Sequence, residues 1–218
     1  MEGDKPLIVI TGVTGYLGAH TCLLFLKDGS FRVRGTVRNK DNAERVDPLK
    51  AAFGDLFEQL ELVNADLNDQ ASIAAACEGA TMIIHTASPF ALKDSTDEQD
   101  YIKPAVDGTM AVMNAAAASG VKRVVITSSV VTLVDCGKEK PAHYDANDWS
   151  IPENQSPYSK SKTLAEKAAW DFLKTPEGSN ITLVTILPAF IVGPNLAPSE
   201  GGTVQYLTMF KTKGKEAP

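Results

Sequence analysis

Apolar positions fall along the chain in two alternating patterns. Six short runs are apolar almost throughout and predict strands: PLIVIT (6–11), FRVRGTV (31–37), LELVNA (60–65), ATMIIHTA (80–87), VKRVVITS (121–128) and NITLVTILP (180–188). Between them lie longer segments of helical period, at 15–28, 42–58, 69–77, 97–119 and 158–174. Strands buried on both faces and each followed by a helix require a parallel sheet with helices above and below. Right-handed crossovers then give an α/β fold, a doubly wound parallel sheet in strand order 3-2-1-4-5-6. Two stretches break the alternation, 129–155 and everything after Pro188. Both follow strand C-terminal ends, where such sheets bind ligands, so both are candidate substrate walls.

Composition narrows the partners. With 218 residues and 44% hydrophobic content, the chain has enough apolar surface for one large domain or a domain with a small appendage. Its formal net charge is -6, and no block of Lys or Arg tracks a phosphate backbone or an anionic membrane. No nucleic-acid or membrane partner is expected. The opening MEGDKP is polar and acidic, unlike a secretory signal. ITLVTILPAFIV is too short and too β-branched for a spanning helix, so a cytoplasmic protein is expected. Cys22, Cys77 and Cys136 are far apart and odd in number, which suggests neither a disulfide framework nor a zinc site.

The first strand runs into TGVTGYLGAH, with Gly12, Gly15 and Gly18 spaced by three before a helix. In that setting the first glycine permits a tight turn, the second lets a pyrophosphate approach the backbone, and the third lets helix and strand pack closely. The helix N-terminus adds free N–H donors and a favourable dipole. Gly12, Thr14, Gly15, Tyr16, Leu17 and Gly18 are therefore candidate dinucleotide-binding residues; three glycines in a surface turn are the ordinary alternative. The second strand ends GTVRNK, with Arg38 where an NAD site would carry a carboxylate. Arg38, with Arg45 as a second contact, favours the 2′-phosphate of NADPH; a solvated basic turn is the competing explanation. After the third strand, Asp66 can accept from an adenine amino group or cap the next helix. The fourth strand ends HTASPF, placing the small residues Thr86, Ala87 and Ser88 where a cofactor would cross the sheet edge. His85 reads as part of that packed strand end.

The stretch SPYSKSK sets Tyr158 four positions ahead of Lys162. A polar helix start has the same look, so context decides. The fifth strand ends at Ser128 and Ser129, and i, i+4 spacing puts Tyr158 and Lys162 on one helix face. A phenol of ordinary pKa near 10 exchanges protons slowly at neutral pH, whereas a nearby ammonium lowers that value.

Together the glycine loop, ADL, the strand-end serines, YSKSK and LPAFIVGP resemble the extended short-chain dehydrogenase/reductase family. VRGTVRN and SKTLAEKAAW are most similar to its branch of dihydroflavonol 4-reductases, cinnamoyl-CoA reductases and microbial carbonyl reductases. The resemblance implies that Ser129 hydrogen-bonds a substrate carbonyl, Tyr158 donates the proton, and Lys162 binds nicotinamide ribose hydroxyls and lowers the tyrosine pKa. It further implies phosphate contacts from the glycine loop, 2′-phosphate contacts from Arg38 and Arg45, an adenine clamp of Asp66 and Leu67, and Pro188 at the nicotinamide pocket. Lys160 and Ser161 are expected on the helix surface.

The chain departs from that family in three places. Val134 stands where plant dihydroflavonol reductases carry a polar residue, and SPYS replaces the Asn-Trp-Tyr-Cys run of cinnamoyl-CoA reductases. Family members also continue beyond YLTMFKTKGKEAP, which implies an NADP-binding domain over 1–188 and an incomplete substrate lobe over 189–218. The expected activity is NADPH-dependent reduction of a small-molecule ketone or aldehyde. A catalytically silent NADP-binding protein and an NAD-dependent sugar epimerase or dehydratase are the alternatives.

Overall fold

The computed structural model describes residues 5–88, 97–134 and 143–197; Cys136 and the chain from residue 198 on lie outside them. Six parallel strands, β1 (Leu7–Thr11), β2 (Arg32–Val37), β3 (Leu60–Asn64), β4 (Met82–His85), β5 (Arg123–Thr127) and β6 (Thr182–Ile186), form one sheet. Their order is β3-β2-β1-β4-β5-β6, as the alternation of apolar runs predicts. The helices are α1 (Tyr16–Asp28), α2 (Ala43–Phe53), α3 (Gln70–Cys77), α4 (Gln99–Ala118) and α5 (Pro157–Phe172). None of the described helices is long and apolar enough to cross a membrane.

Strand periodicity of two divides the core between the faces of the sheet. Along the fully buried β1, Val9 joins a cluster with Ile83, Val124, Met113 and Ala169, which brings in α4 and α5. Its neighbours Ile8 and Ile10 join the opposite cluster with Leu26, Leu49 and Phe53, which brings in α1 and α2. Burial on both sides explains why these strands are nearly uniformly apolar in sequence. β6 is an edge strand, and Val184 and Ile186 are exposed on it.

Helix ends follow local chemistry. Asp69 accepts from the N–H groups of Ala71 and Ser72 at the start of α3, and Ser156 accepts from Ser159 N at the start of α5, where Pro157 occupies the first turn. The segment 42–58, predicted as one helix, is two elements. α2 stops at Phe53, Gly54 takes a positive φ of 55°, and a 3-10 turn over Gly54–Gln59 leads into β3. Helical periodicity continues across the break, while the glycine ends the α-helical hydrogen bonding.

Candidate active site

The C-terminal ends of β1 and β4 build the first half of the site. Thr11 Oγ1 accepts from the backbone N–H of Thr86 and of Ala87, both at 3.1 Å. Its own proton is then directed to His85 Nδ1, 2.8 Å away, which leaves the imidazole with its proton on Nε2. Thr86 Oγ1 returns a bond of 2.5 Å to the Thr11 carbonyl. This clamp brings Ala87 against Gly12, whose φ is 73° and where a Cβ would stand 2.9 Å from the Ala87 Cβ. Gly18 is tighter, since a Cβ there would lie 2.2 Å from the Gly12 carbonyl oxygen and 2.9 Å from Thr86 Oγ1. α1 therefore presses its first turn onto the strand end. Gly15 caps it without a side-chain hydrogen bond, and the first turn carries no acidic residue. The N–H groups of Tyr16, Leu17 and Gly18 point out of the helix start with no intrahelical acceptor, and Thr14 lies in the loop before them.

Arg38 and Arg45 are both exposed, one past the end of β2 and the other in the first turn of α2. Helix capping, the competing role for Asp66, belongs to Asp69. Asp66 Oδ1 instead accepts from Asn68 N at 2.9 Å and Asn68 Nδ2 at 3.0 Å, closing a local turn. Leu67 packs against Gly108 of α4, where an added Cβ would meet its Cβ at 3.2 Å.

The second half of the site comes from β5, α5 and the segment after β6. Ser129 is buried, and its side chain hydrogen-bonds that of Tyr158. Lys162, on the same face of α5, donates to Ser88 Oγ at 3.0 Å and lies 6.0 Å from the centroid of the Tyr158 ring. The Pro188 carbonyl accepts from Val130 N at 3.0 Å, which ties the end of β6 to the turn following Ser129. Ser129, Tyr158, Lys162 and Ser88 thus converge from three separate elements.

Electrostatics depart from the sequence expectation at one point. Burial raises the Tyr158 phenol above its ordinary value, with the Ser129 hydrogen bond opposing the rise. Lys162 was expected to lower it, but its ammonium is directed to Ser88, and burial holds the lysine itself down to about 8. Burial, and then the Lys162 charge, push His85 down to about 3, so it stays neutral at physiological pH.

Other residues differ from their sequence reading. Ser161 is buried, donating to the Tyr158 carbonyl at 2.7 Å, and Lys160 pairs with Glu98 of the α4 N-terminus at 2.9 Å. Neither is a plain surface position. Glu166, not singled out from the sequence, is buried with Ser128 donating to one carboxylate oxygen and Trp170 Nε1 to the other at 3.3 Å. The legible signal was its place on the stripe Tyr158, Lys162, Glu166, at successive i, i+4 positions.

Residues 8–211 match the family described as the NAD dependent epimerase/dehydratase family. The chain belongs to this family. Within it, the chain is 34% identical over 205 residues to a dihydroflavonol 4-reductase of Hordeum vulgare, covering 90% of this chain and 56% of that protein. It is 36% identical over 204 residues to tetraketide alpha-pyrone reductase 1 of Arabidopsis thaliana, covering 91% of this chain and 61% of the relative. Among solved structures, vestitone reductase from alfalfa superposes with a TM-score of 0.75 at 32% identity, over 94% of this chain and 64% of that one. Yeast methylglyoxal/isovaleraldehyde reductase, complexed with NADPH, superposes with a TM-score of 0.74 at 28% identity, over 87% of this chain and 59% of that one. The chain spans 56% and 61% of the length of these two curated relatives. The doubly wound, Rossmann-like fold is common to this family member and its structural neighbours.

Proposed function

We propose that this chain is the NADPH-binding and proton-donating part of a carbonyl reductase that converts a ketone or aldehyde to an alcohol. The carrying observation is the convergence of Ser129, Tyr158 and Lys162 beside the glycine cradle. Two features of the cradle fit a dinucleotide: Gly12 and Gly18 leave no room for side chains, and the first-turn N–H groups of α1 have no intrahelical acceptor and no side-chain cap. In this reading Gly12, Thr14, Gly15, Tyr16, Leu17 and Gly18 hold the pyrophosphate. Arg38 and Arg45 take the 2′-phosphate, and no carboxylate stands at the end of β2 to prefer the ribose of NADH. Asp66 and Leu67 border the adenine, while Thr86, Ala87, Ser88 and Pro188 flank the nicotinamide end. Residues 1–188 form the cofactor-binding domain, and 189–218 begin the substrate-facing lobe. The names of the relatives, all reductases of small molecules, support the same reading.

NADPH supplies the hydride to the carbonyl carbon when bound. Ser129 donates a hydrogen bond to the carbonyl oxygen, withdrawing electron density from the carbon. Tyr158 Oη gives its proton to the oxygen as negative charge develops there, and its raised pKa keeps that proton in place at neutral pH. Lys162 would hold the ribose hydroxyls of the bound cofactor, and its ammonium, 6.0 Å from the Tyr158 ring centroid, stabilises the phenolate left behind. Replacing Tyr158 by Phe keeps the ring and deletes the proton. The expected result is a loss of about 10²–10⁴-fold in kcat with NADPH affinity little changed. Equal turnover in that variant refutes the mechanism, and a chain that binds no NADPH refutes the reductase reading.

A further inference from the structure

Glu166 is a buried carboxylate with two neutral hydrogen-bond donors, Ser128 and Trp170, and no ion pair among the described residues. Burying a charge is costly unless other groups compensate it. Compensation by charge is one helical turn away. Glu166 and Lys162 both border a small, partly open cavity of about 20 Å³, together with His85, Thr109 and Ser128. That volume suits about one water, and the lining is polar enough to hold it. His85 has its Nδ1 committed to Thr11, so Nε2–H is the group it has left to donate.

We propose that Glu166 is a positioning residue for the Ser129, Tyr158 and Lys162 set: its carboxylate fixes Ser128, and through it the adjoining Ser129, and it balances the charge of Lys162 across a cavity that takes one water. The groups facing Glu166 are few in kind. His85 and Lys162 border the small cavity, to which α4 contributes the neutral Thr109 and Ala105. On its other side, a cleft of about 710 Å³ is shared by Glu166, Lys167 and Asp171 of α5 and by Lys174 just beyond it with Asp145 and Asp148 of the preceding loop. Burial alone holds Lys162 down to about 8; in this proposal the charge of Glu166 opposes that fall, so its loss takes the midpoint lower still.

The catalytic meaning of this proposal rests on the reductase reading, so the decisive readouts are taken on protein without cofactor or substrate. In Glu166→Gln the hydrogen-bond acceptor for Trp170 is retained and the charge is lost. The Lys162 titration midpoint, followed by the 13Cε resonance assigned with Lys162→Met, is expected to fall by about one pH unit. The Trp170 indole N–H resonance, assigned with Trp149→Phe, is expected to keep its hydrogen-bonded position, and Glu166→Ala to lose it. With NADPH and a carbonyl substrate, the alkaline limb of kcat in Glu166→Gln is expected to move to lower pH, and kcat at pH 8.5 to drop about tenfold, the equivalent of one pKa unit. An unmoved Lys162 midpoint in Glu166→Gln overturns the proposal whatever the turnover. A moved midpoint in a chain that binds no NADPH supports the electrostatic link and overturns the reductase reading instead. Should Glu166→Ala fail to fold, the Gln variant carries the test alone.

Discussion

Gly18→Ala is the sharpest test of how the cradle is built. The new methyl carbon would sit 2.2 Å from the Gly12 carbonyl oxygen, about 1 Å inside ordinary contact, and the obstructing atom is backbone. That carbonyl also accepts from Gly15 N at 2.9 Å, so moving it disturbs the turn as well as the helix. Overpacking of this kind costs roughly 1–3 kcal/mol, and losing the turn bond adds about 1 kcal/mol. Against this, alanine in a helix is favoured over glycine by about 1 kcal/mol. The net expectation is a loss of about 2 kcal/mol, which moves a urea midpoint down by about 1 M for an m-value near 2 kcal/mol/M. NADPH affinity should fall with it, because the displaced turn carries the N–H groups proposed to hold the phosphates. Gly29→Ala is the control. Its φ of 71° makes alanine strained there, yet a Cβ would meet nothing within 4 Å. It is expected to lose about 1 kcal/mol of stability and no NADPH affinity. Urea unfolding followed by tryptophan fluorescence, with NADPH titrations on the same preparations, measures both. A Gly18→Ala protein within about 0.5 kcal/mol of the unaltered chain and of equal affinity refutes this account of the close packing.

Two further perturbations address charge. Arg38→Ala is expected to weaken NADPH binding by about tenfold or more while leaving NADH binding nearly unchanged, as fluorescence titration with both nucleotides would show; equal losses for the two would remove Arg38 from 2′-phosphate recognition. His85 has a folded value of about 3 against 6.5 for the free group, so the unfolded chain takes up the proton first, and stability falls as pH drops from about 6.5 toward 3. Between pH 7 and pH 5 this amounts to roughly 2 kcal/mol. His85→Gln should show a correspondingly smaller loss over that interval in urea unfolding, and parallel losses in both proteins would exclude His85 as a source of the acid sensitivity.

Strand order was legible because the central strand β1 is buried on both faces, so Ile8, Val9 and Ile10 are all apolar although they serve different cores. The glycine spacing was legible for a related reason: contacts of 2.2 and 2.9 Å admit no side chain at Gly18 or Gly12. What escaped the sequence was polar and internal. Ser161 and Glu166 carry surface-type side chains, and their burial depends on partners brought in by α5 itself, β5 and the packing of α4. The break of α2 at Gly54 escaped because hydrophobic periodicity records which face is buried, not whether the backbone stays α-helical across a glycine. The rise in the Tyr158 pKa also could not be read from i, i+4 spacing. Spacing puts Lys162 on the right face, whereas the hydroxyl of Ser88, distant in sequence, decides where its ammonium points.

The two halves of the site differ in how much chain they need. Thr11 reaches His85 across 74 residues, and Lys162 reaches Ser88 across another 74, while His20 Nε2 meets the Pro194 carbonyl across 174. Loop closure of that length makes such contacts late events in folding. During synthesis, the clamp of β1 on β4 has all its residues once Ala87 has emerged, before any of α5 exists. On the ribosome the cradle is expected to gain amide protection first, as hydrogen exchange on stalled nascent chains would show, with the tyrosine helix docking onto a nucleotide-binding half that has already taken shape.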